Sequence, residues 1–179
     1  SRNEIILLSI GNSIFDISSV NKFWVKLYAK LYNDLIVKFP IMKDICTKNF
    51  QSFMNVFNDI QIGNEENYEE FCKINKINDK RRSLSLFYTN LYNFNILSND
   101  DMFVILEQLI NKMFNYIESK NTNILEEIFE NINIILKNIG TNISKEKKKY
   151  NNMMEKTMEI YNIINDKKIS KKITFKMLD

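Results

Sequence analysis

Apolar residues recur along most of this chain at the three- and four-residue spacing that puts them on one face of a helix. The first such stripe stops at Pro40, which cannot continue a helix, and it consists of Val20, Phe23, Trp24, Leu27, Leu31 and Leu35. The second predicts a helix over residues 43–60, and it consists of Ile45, Cys46, Phe50, Phe53, Met54 and Phe57. Apolar side chains at this spacing are most often buried, so we expect both stripes to face a core.

Polar breaks and capping residues divide the rest of the chain into further helices. After a polar break at 63–67, the chain is predicted to be mostly helical over 68–97, with a basic interruption at 80–82. Ser98 and the acidic residues after it predict the start of a helix whose apolar stripe is Met102, Ile105, Leu106, Leu109, Met113 and Ile117. Three more helices are expected: 124–139 with Gly140 as its C-terminal cap, Ser144 to about Asn165, and one that begins at Ser170.

These predictions indicate an all-α fold of seven to eight helices joined by short loops. Successive long antiparallel hairpins are more typical of a HEAT-like α-solenoid than of a closed four-helix bundle, although no exact sequence repeat is present. The length of 179 residues suits a single domain over residues 1–179. In such a solenoid each hairpin contacts only its neighbours, which leaves long surfaces free to bind a partner.

The residue composition argues against catalysis. The chain has no histidine, so the commonest general base and the commonest metal ligand are missing. Its three glycines, Gly11, Gly63 and Gly140, lie too far apart for a phosphate-binding loop. Cys46 and Cys72 match no metal-ligand spacing and are interpreted as reduced thiols. We therefore expect no enzymatic activity, no cofactor and no metal.

Charge and hydropathy limit the kinds of partner. A net charge of +3 is mild for a dedicated nucleic-acid-binding domain. No apolar run approaches the length needed to cross a bilayer, so we expect a soluble intracellular domain that acts without a membrane. The acidic groups at 65–70 and 125–130 are expected to be solvated helix faces. The basic run at 144–150 is interpreted in the same way, with an RNA contact as its alternative.

Three stretches together resemble the middle domain of eukaryotic translation initiation factor 4 gamma, a HEAT-type helical-repeat family. They are RRSLSLFYTNLYNFNILS (81–98), EEIFENINIILKNIG (126–140) and MEIYNIINDKKISKKITFKML (158–178). The most specific match is the Lys-Ile-Ser of the last stretch, followed by a basic residue, Ile, a spacer and Phe. Weaker similarities at 26–31 and 48–54 extend the resemblance over most of the chain, in the family's order. The family's glycines in the first stretch are absent, and its first helix has no counterpart, as expected for a fragment of a longer chain.

The resemblance implies a scaffold rather than a catalyst. In the family, the middle domain binds the DEAD-box helicase initiation factor 4A, holds the two RecA-like lobes ready to close, binds RNA and helps to recruit the small-subunit initiation machinery. For this chain the resemblance implies a cytoplasmic, monomeric scaffold that promotes helicase activity in mRNA recruitment. Relatives with the same fold leave an adaptor in mRNA decay, splicing or nuclear cap-binding complexes as the alternative.

The early segment and the central basic cluster supply the first candidate contacts. The segment similar to the family's helicase-binding helix includes Asn49, Phe53 and Met54, and its aromatic residues have the hairpin core as their alternative place. The basic cluster can contact RNA phosphates or can be a solvated helix start, and it consists of Lys80, Arg81 and Arg82.

The terminal lysines supply the last candidate contacts. Lys168, Lys172 and Lys176 recur every fourth residue, and lysines in the first turn after Ser170 oppose the helix dipole. We expect these three lysines to form one face of the last helix, directed at an acidic helicase surface or at RNA. Phe175 is expected to point away from the core and to reach the same partner. The alternative is a frayed, solvated helix whose lysines only aid solubility.

Overall fold

Eight α-helices follow one another through residues 2–119 and 121–178, the part of the chain that this computed structural model describes. They are α1 Arg2–Val20, α2 Val25–Lys38, α3 Ile41–Asn55, α4 Tyr68–Asn93, α5 Asn99–Ile117, α6 Thr122–Asn138, α7 Lys147–Asp166 and α8 Lys171–Met177. Two short 3₁₀ helices, Lys22–Trp24 and Thr141–Lys145, precede α2 and α7. The expected all-α class and the expected number of helices are confirmed.

The helices pack in two layers. In one layer α2, α4, α6 and α8 are successive neighbours, while in the other α1 lies against α3 and α5 against α7. Three sets of contacts join the layers: α1 packs on both α2 and α4, α5 packs on α6, and α7 packs on α8. Contact between a helix and the next but one along the chain is what stacked helical hairpins produce. The architecture is therefore that of a helical repeat, as the sequence predicts.

An aromatic cluster forms the core where α1 to α4 meet. The rings of Phe53 and Tyr88 stack with centroids 4.3 Å apart, and Phe15 meets Phe87 edge to face at 5.1 Å. Such pairs add roughly 0.5–1.5 kcal/mol beyond the burial of their area. The predicted apolar stripes of α3 and α5 both face inward, with Met54 alone among them half-buried. These two stripe predictions are confirmed.

The stripe predicted before Pro40 is wrong about which side of the helix is buried. Phe23 is 96% exposed and Trp24 is 56% exposed, and Val20, Leu27 and Leu31 are exposed as well. The buried side of α2 carries Val25, Ala29 and Tyr32, which also recur at helical spacing. The segment therefore has two apolar sides, and periodicity alone could not indicate which one would meet the core.

Helix boundaries follow local capping in most places. Ser98 forms a capping box with Asp101, in which each side chain accepts from the other residue's backbone N–H. Ser170 caps α8 by accepting from the N–H of Ile173. Three boundary predictions are wrong. The helix predicted to reach residue 60 ends at Asn55, α4 continues without a break through residues 80–82, and α7 begins at Lys147 because Ser144 belongs to the preceding 3₁₀ turn.

Gly140 does not act as the left-handed C-terminal cap that its position predicts. Its φ of −71° and ψ of 164° are ordinary extended values. Its N–H instead donates to Oδ1 of Asn93 over 2.8 Å, and a Cβ at this position would lie only 3.1 Å from the same oxygen. The glycine therefore permits a close approach between the end of α6 and the end of α4 rather than an unusual backbone angle.

Candidate functional site

Arg81 belongs to the interior, which contradicts its predicted role in RNA binding. Its side chain is 2% exposed, Nε donates to the carbonyl of Val56 over 2.9 Å, and Nη1 donates to Oδ1 of Asn78 over 2.6 Å. Burial lowers the pKa of the guanidinium, while the charge of Glu127, 3.7 Å away, opposes that shift. A side chain held in this way cannot reach an RNA phosphate without leaving the fold.

Glu127 is the second buried charge between α4 and α6. It is 3% exposed, so this residue does not belong to the solvated acidic face expected over 125–130. Arg82 donates to both of its carboxylate oxygens, and Asn131 donates to Oε1 over 3.2 Å. Asn131 in turn accepts from the hydroxyl of Ser85 over 2.8 Å. One connected set of polar contacts thus joins α4 to α6.

Lys80 is the one fully exposed member of the predicted RNA-binding cluster, because Arg82 is half-buried against Glu127. Lys80 lines a cleft of about 180 Å³ between α1, α3 and α4, together with Asn49 and Phe53. An adjoining cleft of about 370 Å³ shares Lys80 and adds Lys76 and Asp79. The structure therefore brings part of the predicted RNA cluster next to part of the predicted helicase segment, which the sequence analysis treats as separate.

The three candidates on α3 differ in accessibility. Phe53 is a core residue, since its ring stacks on Tyr88 and is 3% exposed. Asn49 is half-buried, and its Nδ2 donates to Oδ1 of Asn12 over 3.2 Å and to the carbonyl of Ile45 over 3.0 Å. Met54 is half-buried at the edge of the core. Of the predicted α3 contacts, Asn49 and Met54 remain open to a partner, and Phe53 does not.

The terminal lysines find acidic partners within the chain. Lys172 pairs with Glu126 at 3.3 Å and Lys176 with Glu130, both on the neighbouring helix α6. Partial burial raises the pKa of Glu130, but the hydrogen bond from Lys176 and the surrounding positive charges outweigh it and lower that pKa overall. The pair with Glu126 offsets the unfavourable position of Lys172 in the first turn of α8, whereas Lys176 lies in the last turn, where the helix dipole favours a positive charge.

The other two residues of the terminal candidate set are free of α6. Lys168 lies in the turn before α8 with a φ of 51°, so it does not share the helical face of Lys172 and Lys176. Phe175 is 68% exposed and points away from the buried Ile173, as predicted. Beside it, α7 and α8 enclose a small apolar cleft of about 120 Å³ lined by Met154, Met158 and Met177, among others. The accessible part of this candidate surface therefore combines the apolar Phe175 with the exposed Lys168.

Chemistry that needs a reactive side chain has few candidates here. Burial raises the pKa of the Cys46 thiol to about 12, with a smaller contribution from Asp101, so little thiolate exists at neutral pH. No group of three or more cysteine, aspartate and glutamate side chains is arranged to hold a metal ion in the described residues. Within the same residues, no helix is both long and apolar enough to cross a bilayer.

One exposed apolar surface was not predicted from the sequence. The outward sides of α1 and α2 carry exposed apolar residues, and among them Leu27 and Leu31 of α2 had been predicted to face the core. The sequence did contain a sign of this surface. Val25, Ala29 and Tyr32 form a second apolar seam on α2, so the sequence did not establish that the first seam is buried.

No family model and no curated protein matches this chain. The resemblance to the initiation-factor middle domain therefore rests on the three stretches quoted above, and what it implies about partners belongs to a proposal.

Proposed function

We propose that this chain is a helical-repeat scaffold domain that binds a DEAD-box RNA helicase of the initiation factor 4A class and promotes its activity in mRNA recruitment. The observation that carries the proposal is that the three resembling stretches, far apart in sequence, contact one another through their charged and polar residues. Arg82 of the first stretch binds Glu127 of the second. Glu126 of the second accepts from the hydroxyl of Ser170 of the third over 2.7 Å. A resemblance whose residues support one another in the fold is stronger than three separate matches.

The architecture suits a scaffold on physical grounds. A rigid stack that contacts both lobes of a helicase can favour the closed arrangement without any chemistry of its own. A tenfold change in the lobe equilibrium requires only about 1.4 kcal/mol of differential contact. Such a difference is within reach of a few well-packed side chains.

Two surfaces at separate ends of the stack are the proposed contacts for a two-lobed partner. One lies at α3 and α4, with Asn49, Met54 and Lys80. The other lies at α7 and α8, with Phe175 and the neighbouring methionine cleft. Because α3 packs on α1 and α2 while α8 packs on α6 and α7, a partner that touches both surfaces must span the stack. In this proposal the domain acts in the cytoplasm as a monomer, together with RNA and the small-subunit initiation machinery.

The test is a titration against initiation factor 4A from the same organism, with binding and RNA-stimulated ATP hydrolysis followed together. We expect micromolar or tighter binding and faster hydrolysis. Phe175→Ser should weaken binding about tenfold, or ~1.4 kcal/mol, without changing the melting temperature. Val104→Ser on α5, which also removes an exposed apolar side chain, is the matched control. Neither binding nor stimulation would overturn the proposal and favour an adaptor in mRNA decay, splicing or nuclear cap-binding complexes.

A further inference from the structure

The outward side of the α1–α2 hairpin is an unpartnered apolar surface. We call it the end face, and its residues are Ile6, Ile10, Ile17, Phe23, Trp24, Leu27 and Leu31. All seven side chains are exposed, and Phe23 is the most exposed large apolar residue in the described part of the chain. Monomeric proteins rarely expose many large apolar side chains on one hairpin, and such exposure often marks a binding site.

The spacing of these residues fits a partner helix better than a flat surface. Trp24, at the end of the 3₁₀ helix that runs into α2, is followed three and seven residues later by Leu27 and Leu31 of α2. On α1, Ile6, Ile10 and Ile17 are four and seven residues apart. These are the intervals at which one helix presents a continuous seam to another helix that packs along it. The outward side of α2 therefore has the residue spacing of a helix–helix contact, but no second helix in the described part of the chain packs against it.

A row of lysines beside the seam indicates the charge of that partner. Lys22, Lys26 and Lys30 recur every fourth residue and are exposed. None of the three makes an ion pair with any residue that the structure describes, whereas Lys172 and Lys176 are both paired. Like charges one turn apart repel by a few tenths of a kcal/mol per pair, roughly 0.2–0.5, unless an opposite charge lies between them.

We propose that the end face binds an amphipathic helix of a partner protein, with apolar residues on the seam and Glu or Asp opposite Lys22, Lys26 and Lys30. A second copy of this chain fits less well, because it would bring two lysine rows together. This inference uses neither α3 nor α8 and stands apart from the proposed helicase contact.

The test uses a synthetic three-heptad helix with Leu at the a and d positions and Glu at the flanking e and g positions. A second peptide carries Lys in place of Glu. Binding of each fluorescent peptide to the whole chain is followed by anisotropy at low and at physiological salt. We expect the acidic peptide to bind at least about tenfold tighter than the basic one, and the difference to shrink as salt screens the lysines.

Charge reversal provides the decisive variant. Lys26→Glu combined with Lys30→Glu should lower the affinity for the acidic peptide about tenfold and raise the affinity for the basic peptide. Loss of folding cannot produce opposite changes of this kind. Lys147→Glu combined with Lys148→Glu on α7 changes the net charge equally at two other exposed lysines and should leave both affinities unchanged. Leu27→Gln with Leu31→Gln should abolish binding of the acidic peptide, while Val104→Gln should not.

Several results would overturn the proposal. One is equal affinity for the acidic and basic peptides, and another is binding that the Lys26 and Lys30 reversal leaves intact. Binding to vesicles rich in phosphatidylserine, but not to the acidic peptide, would make the end face a membrane surface. Sedimentation as a dimer that Leu27→Gln with Leu31→Gln dissociates would make it a self-association surface.

Discussion

Arg82 on α4 and Glu127 on α6 form a forked ion pair in which Nε lies 3.2 Å from Oε1 and 3.1 Å from Oε2, and Nη2 donates to Oε2 as well. The carboxylate is buried, and Arg81 approaches it from the same helix. Asp79 supplies a second negative charge, with its Oδ1 3.3 Å from Nη1 of Arg82, while Asn78 and the carbonyl of Val56 accept hydrogen bonds from Arg81. The contact fixes α6 against α4 at the centre of the stack.

Removal of this carboxylate should be costly. Glu127→Ala leaves Arg81 buried without its charge partner, and a broken buried pair typically costs about 3–5 kcal/mol. Urea unfolding at neutral pH measures the loss. Glu159→Ala, at an exposed position of α7, is the control and should change the free energy of unfolding by less than about 0.5 kcal/mol. A loss below about 1 kcal/mol for Glu127→Ala would mean that the cluster rearranges or that water enters it.

Alanine substitutions at Phe53 and Met54 should distinguish a core residue from an interface residue. Phe53→Ala removes a ring that stacks on Tyr88, and we expect it to lower the free energy of unfolding by about 3–5 kcal/mol. Met54→Ala, at a half-buried position, should cost less, about 2 kcal/mol or below. Chemical denaturation of both variants and a titration with the helicase give the comparison. If Met54→Ala leaves helicase affinity unchanged, then α3 does not contact that partner through this residue.

The ion pair between Lys176 and Glu130 should make the free energy of unfolding depend on pH in the acidic range. Partial burial raises the pKa of Glu130, but the hydrogen bond from Lys176 and the nearby charges bring it below the ordinary value of 4.5. Because the folded-state pKa is the lower one, the stabilisation is complete above pH 4.5 and is lost as pH falls through the folded-state pKa. Glu130→Gln should therefore be less stable than the wild type near pH 7, and the difference should shrink as the pH falls below 4.5.

Urea unfolding of the wild type and Glu130→Gln across that pH range gives the measurement. Asp79→Asn, at an exposed position beside Arg82, serves as a control with the same charge change away from α8. A difference between the wild type and Glu130→Gln that stays constant with pH would show that the glutamate contributes by packing rather than by its charge.

Asn93 and Gly140 should form a thermodynamically coupled pair. Gly140→Ala has no backbone strain to overcome, but its Cβ would press on Oδ1 of Asn93 at 3.1 Å, so we expect a loss of about 1 kcal/mol. With Asn93→Ala already present, the same substitution should be neutral or should stabilise by about 0.4–1 kcal/mol, since it restricts the unfolded chain. A double-mutant cycle by urea unfolding measures this reversal, and equal effects in both backgrounds would contradict it.

Lys80 and Arg81 should behave differently if the domain is tested on RNA. If RNA binds in this cleft, Lys80→Ala should reduce the slope of log affinity against log salt by the amount expected for the loss of about one phosphate contact. Arg81→Ala should lower the free energy of unfolding because it removes buried hydrogen bonds, yet folded protein should keep the same salt slope. Loss of RNA affinity in stably folded Arg81→Ala protein would contradict the placement of this side chain in the interior.

Local patterns predicted the secondary structure well and burial less well. The stripe of α5 and the caps at Ser98 and Ser170 depend on residues within one or two turns, and the structure confirms them. The start of α7 was wrong because the serine at position 144 closes a 3₁₀ turn instead of capping the helix. The continuity of α4 through 80–82 was missed because its arginines find buried partners that lie 25 or more residues away.

The candidate contacts show the same division. The outward direction of Phe175 follows from helical geometry and was predicted, whereas the pairing of Lys172 and Lys176 with α6 was not. These two lysines were expected to face an acidic surface of a partner. In the structure each one pairs with a glutamate of the same chain, 46 residues earlier in the sequence. Pairing at that separation is set by which helices become neighbours, and no periodicity contains that information.

The sequence by itself determined that this chain is helical, where most of its helices begin and end, and that its helices stack as hairpins, because spacing and capping act over one or two turns. Only the tertiary structure decided which of the two apolar seams of α2 is buried. Val25, Ala29 and Tyr32 face inward, and Trp24, Leu27 and Leu31 face solvent. A helix can bury either seam equally well on its own, and its neighbours select the one whose shape packs against them.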